Sequence, residues 1–306
     1  MPNSTIIART SGGLGNQLFV YAAARRIAQE RGAELLLDTL SAFQRDKYGA
    51  IDQLGHFAIT TPRAPRSDCF VTPLGRRKRE LLWNLSKRLG RDRKFMVKEQ
   101  DFVTSPGAEP DFSGPLRRKV RVEGYWQSLR YFRPIETEIR SELRVTTPLS
   151  AASLEVSREI NAVNAVCLHI RQRRGKAMVP GMVAPATLPQ LPFSYYERAV
   201  EQMAAMISDP VFFCFGDDAD FMPQRWDFPY PVRFVTHNAS QESAFEDFAL
   251  MTQCRHFIAA NSTFSWWAAF LGSYPEKRVI APKSQGALTW SSEADTILDS
   301  WIALDP

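Results

Sequence analysis

The sequence predicts an α/β fold, and three observations carry that prediction. Strand-like apolar runs alternate with helix-like periodic segments along most of the 306 residues. A glycine-rich turn, Gly12-Gly13-Leu14-Gly15-Asn16-Gln17, lies between the first such run and the first helix. A polar turn, Asn261-Ser262-Thr263, stands in the same relation between an apolar run at 256–260 and the helix containing Phe264, Ser265, Trp266 and Trp267.

Residues 5–9 read as the first strand. Residues 17–31 read as a helix, with Leu18, Tyr21, Ala22, Arg25 and Ala28 at helical spacing and Gly32 as its stop. Residues 34–37 read as a second strand ending at Asp38, which completes a β-loop-α-β unit. The stretch 40–115 reads as irregular and basic with two helices, 121–125 as a strand and 135–145 as a helix. Thr146-Thr147-Pro148-Leu149 reads as a linker, dividing the chain into 1–147 and 148–306. Beyond it, strands at 165–170, 211–215, 232–235, 257–260 and 279–281 alternate with helices at 193–206 and 244–252. This spacing implies a parallel sheet wound on both faces, whose ligands bind outside the carboxyl ends of the strands. His169, Arg171, Asp217, Asp218, Asn261 and Ser262 all fall at such ends.

Composition narrows the function classes. No apolar run reaches the length of a membrane span. Residues 1–7 lack the charged and apolar regions of a secretion signal, so none is expected. Cys69, Cys167, Cys214 and Cys254 are widely spaced and fit buried thiols in a reducing cytosol. The four histidines are equally scattered, so no metal cage is expected. The net charge is +5, and nine lysines and arginines lie between Arg76 and Lys94. Leu81, Leu82, Leu85 and Leu89 interleave with them as in an amphipathic helix. The expectation is a solvated helix with one face on the core; docking on an anionic membrane surface or an acidic partner is the sharper reading. Basic and aromatic residues do not alternate as in a single-strand nucleic-acid platform, so no nucleic-acid partner is expected.

The candidate chemistry lies in the turns. A helix N-terminus after Asn261 offers backbone amides to an anion, phosphate being the usual one. The turn at Gly12 lacks both the dinucleotide glycine spacing and the Walker Gly-Lys-Ser/Thr ending, leaving a tight turn or a phosphate-facing loop. Arg171 at a strand end can grip a diphosphate through its planar fork. Asp217 and Asp218 suit either ribose hydroxyls or a helix cap. Asp247, inside a helix, faces either a base edge or solvent.

Four segments taken together resemble glycosyltransferase family eleven, the bacterial α-1,2-fucosyltransferase group. They are Gly12 to Phe19 with Tyr21-Ala22; Gly124-Tyr125-Trp126-Gln127 with Tyr131-Phe132; His169-Ile170-Arg171; and Asp247 through Cys254 to Trp267. The resemblance implies a GT-B-like fold, two Rossmann-like domains facing across a cleft. The first domain would take the acceptor and the second the GDP-sugar donor. It implies GDP-β-L-fucose as donor, a β-galactoside-containing glycan as acceptor, inversion to an α-linkage, and neither metal nor cofactor. It places Arg171 on the β-phosphate, and Gly13, Gly15, Asn16 and Gln17 in the donor-side loop. Asn261, Ser262, Thr263 and Ser265 form the phosphate turn, with Asp247 near guanine and Asp217 near ribose. The protein would be cytoplasmic, with membrane contact through residues 76–94.

One departure stands out. The family pattern His-x-Arg-Arg-Gly-Asp reads here His169-Ile170-Arg171-Gln172-Arg173-Arg174-Gly175-Lys176. A different linkage or GDP-sugar donor would be encoded there, and a non-catalytic nucleotide- or carbohydrate-binding module stays open as a rival. The catalytic base is not named by the sequence; His169, Asp38 and Glu123 are the candidates.

Overall fold

The computed structural model describes residues 4–46, 49–103, 108–171, 190–216, 223–238, 240–283 and 296–306, without the side chain of Arg45. They form two compact units, Met1–Thr146 and Thr147–Pro306.

The first unit contains β1 (Thr5–Arg9), α1 (Leu14–Glu30), β2 (Glu34–Asp38), α2 (Pro73–Ser86), β3 (Met96–Val97), β4 (Lys119–Val122) and α3 (Glu136–Glu142). Its sheet runs β2-β1-β4-β3 with every pair parallel. Helix α1 is buried along most of its length, which its run Val20-Tyr21-Ala22-Ala23-Ala24 permits by being small and apolar on several sides. It starts three residues earlier than Gln17, because Gly12 makes the turn alone at φ +72° and Gly13 caps the helix. Strand β4 stops at Val122, short of the expected Tyr125, because Gly124 (φ +119°) and Trp126 (φ +55°) break the extended path. Among the described residues of the stretch 40–115 only α2 is α-helical; the remaining helical pieces are single 3₁₀ turns. Strand β3 escapes sequence reading because two residues carry no periodicity.

The second unit contains α4 (Ala151–Ala162), β5 (Asn164–Ile170), α5 (Phe193–Met206), β6 (Pro210–Gly216), β7 (Val232–Val235), α6 (Ala244–Gln253), β8 (His256–Ile258), α7 (Thr263–Leu271), β9 (Val279–Pro282) and β10 (Ile302–Leu304). The sheet order is β10-β9-β8-β5-β6-β7, again with every pair parallel. The core packs Val166, Leu168 and Ile170 of β5 and Phe212 of β6 against Tyr195, Ala199 and Met203 of α5. Two elements were not expected. Helix α4 buries only Ser153, Val156 and Ile160, too narrow a stripe to read, and β10 is a half-buried edge.

The cysteines are free and buried. Burial pushes the Cys214 thiol far up and raises Cys69 to about 12, so neither is a nucleophile at neutral pH. Among the described residues no helix is long and apolar enough to cross a membrane.

Both tryptophans of α7 are core residues. Trp266 stacks on Phe270 at 5.0 Å, and Trp267 is fully buried. Trp267→Ala is expected to cost about 3–5 kcal/mol. The check is the urea midpoint of the variant by circular dichroism against that of the parent.

Candidate functional site

In the second unit the chain reverses its direction of growth between β5 and β8. From β5 it winds outward to β6 and β7, then returns to add β8, β9 and β10 on the other side. The two strands that flank a reversal send their following loops to opposite faces, which opens a crevice at their carboxyl ends. Arg171 follows β5 there, and Asn261-Ser262 follows β8.

These two loops touch. The Arg171 guanidinium donates through Nη1 to Ser262 Oγ at 2.8 Å. Ser262 is the extended N-cap of α7, and its hydroxyl also accepts from Phe264 N at 3.3 Å. The arginine is thereby aimed at a helix N-terminus, where first-turn amides and the helix dipole add to its positive field. Tyr195 Oη donates to Ala259 O at 2.8 Å and fixes the loop to α5, a contact not read from the sequence. The Asn261 and Thr263 side chains make no hydrogen bond among the described residues and flank Ser262, the arginine's partner, in sequence. Ser265 differs: its buried hydroxyl donates back to Ala260 O and Ser262 O, so it braces the turn.

His169 is buried, its ring 5.7 Å from that of Phe264, and its Nδ1 has no partner among the described residues. Burial, with Arg171 adding, pushes its imidazole down to about 3. Burial thus favours the neutral form of the ring.

Asp247 lies in the first turn of α6 and accepts from Asn238 Nδ2 at 2.9 Å. Asn238 also reaches Ser153 Oγ, which contacts His237 Nε2 at 2.9 Å. Desolvation, with Glu246 adding, outweighs the Asn238 bond and lifts the Asp247 carboxyl to about 7. Asn238 and Ser153 were missed; the polar run after β7 was the available signal. Asp217, Asp218 and the segment Gln172 to Lys176 lie outside the described residues.

The first unit repeats the pattern. Its reversal falls between β1 and β4. There Gln127 Nε2 donates to Asn16 Oδ1 at 2.8 Å, joining the loop after β4 to the first turn of α1. A Cβ on Gly12 would meet Asn16 Nδ2 at 2.9 Å, so the bare backbone is what lets Asn16 sit there. Gly13 caps α1 and Gly15 is buried in its first turn. Gln17 is fully buried and its amide is spent on backbone: it donates to Gly12 O and Ile51 O and accepts from Gln53 N. It holds the loop. Glu99 accepts from Tyr125 N at 2.6 Å and Trp126 N at 2.7 Å, holding the left-handed Trp126 and leaving Tyr125 exposed.

The two carboxylate candidates for the base are both committed. Asp38 is buried and accepts from Leu40 N, Ser41 N and Ser41 Oγ of its own turn. Glu123 is buried in a paired contact with Arg79 Nε and Nη2, with Arg9 Nη1 at 3.6 Å. Among the described residues no group of three or more His, Cys, Asp or Glu is placed to hold a metal.

Two parallel, doubly wound units of this kind have the make-up of a GT-B-like fold. Solved structures agree on the fold: the NodZ alpha-1,6-fucosyltransferase soaked with GDP-fucose superposes with a TM-score of 0.53 at 16% identity, covering 88% of this chain and 92% of that one. Another structure of fucosyltransferase NodZ, from Bradyrhizobium, gives 0.51 at 17% identity over the same shares of the two chains. The chain belongs to glycosyl transferase family 11, whose model matches residues 93–305. It is 24% identical to an alpha-1,2-colitosyltransferase of Escherichia coli over 99% of each chain. It is 27% identical to the O-antigen biosynthesis glycosyltransferase WbnK of Escherichia coli, covering 96% of this chain and 98% of that one. The galactoside alpha-(1,2)-fucosyltransferase 1 of Saimiri boliviensis boliviensis is 24% identical over 61% of this chain and 52% of its own.

The raised Asp247 carboxyl makes stability depend on pH. Between the ordinary 3.8 and about 7 the folded state keeps a proton that the unfolded state has lost. Stability therefore falls as pH rises through that window, with a slope approaching about 1.4 kcal/mol per pH unit. Asp247→Asn removes this slope. Its melting temperature relative to the parent should rise between about pH 5 and about pH 8, as read by calorimetry; a constant difference would contradict the shift.

Proposed function

We propose that this glycosyltransferase moves L-fucose from GDP-β-L-fucose to a galactoside hydroxyl with inversion, using arginine charge in place of a metal ion. The observation that carries the reading is the Arg171–Ser262 contact at the reversal point of the second unit. As the acceptor oxygen bonds to the anomeric carbon, the carbon–oxygen bond to the β-phosphate breaks and negative charge grows on GDP. A guanidinium and helix amides aimed at that oxygen act where electrostatic stabilisation has most leverage. The His169 Nδ1, without a partner among the described residues and favoured in its uncharged form, is suited to donate a hydrogen bond to the same phosphate.

The donor goes to the second unit and the acceptor to the first, with Gly13, Gly15 and Asn16 retained as donor-side contacts. With Asp38 and Glu123 committed and His169 neutral, the acceptor proton passes to the departing diphosphate. Asp247 accepts from guanine N–H groups and must be ionised to do so.

A second reading concerns the sugar. The similarity to an alpha-1,2-colitosyltransferase extends over nearly the whole of both chains, which favours a colitosyl donor. Release of GDP in EDTA from GDP-fucose and from GDP-colitose, with galactoside acceptors, separates the readings. Acceptor-stimulated release from one donor identifies it; release from neither sinks both.

Arg171→Ala should lower kcat roughly 100-fold or more, and Arg171→Lys should recover only part, since an ammonium lacks the planar fork. A kcat near the parent value would remove Arg171 from the reaction. The kcat/KM for donor should fall as pH drops below about 7, where Asp247 takes up its proton. Steady-state kinetics across pH should show that limb in the parent and not in Asp247→Asn.

A further inference from the structure

Helix α2 is held to its unit along one side only. Thr72 caps its start by accepting from Gly75 N at 3.0 Å. Ser86 Oγ at its end accepts from Phe95 N and Met96 N of the β3 segment. Between them Arg79 pairs with buried Glu123, and Lys98 Nζ sits 4.3 Å from the Trp83 ring centre. Ser86 is its one buried residue. The expectation that its leucines would face the core therefore fails for two of them: Leu81 is 60% exposed and Leu85 43%, and Leu74 is 76% exposed.

These three leucines recur at intervals of seven and four, so they form one stripe on the outward face. The stripe runs about 16 Å along the axis at 1.5 Å per residue. Arg77 and Lys78 flank it within the helix, and Arg88 follows just beyond. All three are exposed, and their side chains make no ion pair or hydrogen bond among the described residues. The neighbouring Arg76, Arg79, Lys94 and Arg91 are each engaged with protein groups. Lys87 lies over the Trp83 ring and Arg93 pairs with Asp92, so Arg77, Lys78 and Arg88 beside the leucines are available to an anionic surface.

We propose that this face of α2 docks the protein on an anionic lipid bilayer. Leucines enter the headgroup–acyl boundary while long basic side chains reach lipid phosphates at the same depth. Charge complementarity selects this occupant. A second copy of the chain would bring Arg77, Lys78 and Arg88 against their own counterparts, and like charges so placed repel. Glu80, the exposed acid of the helix, lies on its flank and not within the leucine stripe.

The test uses the whole chain and vesicles of phosphatidylcholine alone or in equal parts with phosphatidylglycerol. The parent is expected to co-sediment with the anionic vesicles and not the neutral ones, and less at high salt. Leu81→Glu, and separately the pair Arg77→Glu and Lys78→Glu, should each lower vesicle binding roughly tenfold or more. GDP release with a soluble acceptor should be unchanged in both variants, which shows that they are folded. Equal binding by parent and variants, or no binding to anionic vesicles, overturns the proposal. So does a concentration-dependent dimer in the ultracentrifuge that Leu81→Glu dissolves, since the stripe is then a protein interface.

Discussion

The pairing of β5 with β8 is the constraint on which the donor-side geometry depends. Val166, Cys167 and Leu168 register against His256, Phe257 and Ile258, though almost ninety residues separate them in the chain. That register delivers Arg171 and Ser262 to the same end of the sheet, within hydrogen-bond distance. A buried parallel sheet is specified by continuous apolar strands on both faces. Here Tyr195 and Tyr196 of α5 pack in one buried cluster with Val166, Leu168, Ile170 and Ile258 of those strands, and Trp267 of α7 is fully buried. Contacts among Trp266, Trp267 and Phe270 anchor α7 in the core behind its N-terminus.

Electrostatics in the second unit follow from burial more than from partners. His169 and Asp247 sit in enclosed surroundings, and desolvation is the first cause of both shifts, one downward and one upward. Both groups are thereby driven toward their neutral forms. Arg171, which keeps its charge, is left as the dominant local cation beside His169. The pair sets an imidazole favoured in its neutral form beside a guanidinium at the carboxyl end of β5.

The first unit is polar at its strand ends for a different reason. Asp38, Gln17, Glu99 and Glu123 are inward-facing groups whose hydrogen bonds shape loops: Asp38 closes the turn after β2, Gln17 ties Gly12 to the segment at Ile51, and Glu99 holds the Gly124–Trp126 backbone. Buried polar groups are costly unless satisfied, so each is read first as a brace. Glu123 also anchors α2 through Arg79, which ties the outward leucine stripe to the end of β4.

The sequence by itself determined the α/β class, the strand–turn–helix context of Gly12 and Asn261, the family resemblance, and the position of Arg171 at a strand end. These are local properties: apolar period, turn chemistry and glycine placement act over a few residues. Tertiary structure decided which candidates meet and which are spent. Nothing in spacing separates Ser262, whose hydroxyl meets Arg171, from Ser265, whose hydroxyl turns back on its own loop. Nor could periodicity say that Leu81 and Leu85 face outward, since an amphipathic pattern names a stripe but not what covers it. Short elements such as β3 exist only because a neighbouring strand supplies their hydrogen bonds. Hydrogen-bond partners, burial and sheet order are long-range facts, and they appear only once the chain has closed on itself.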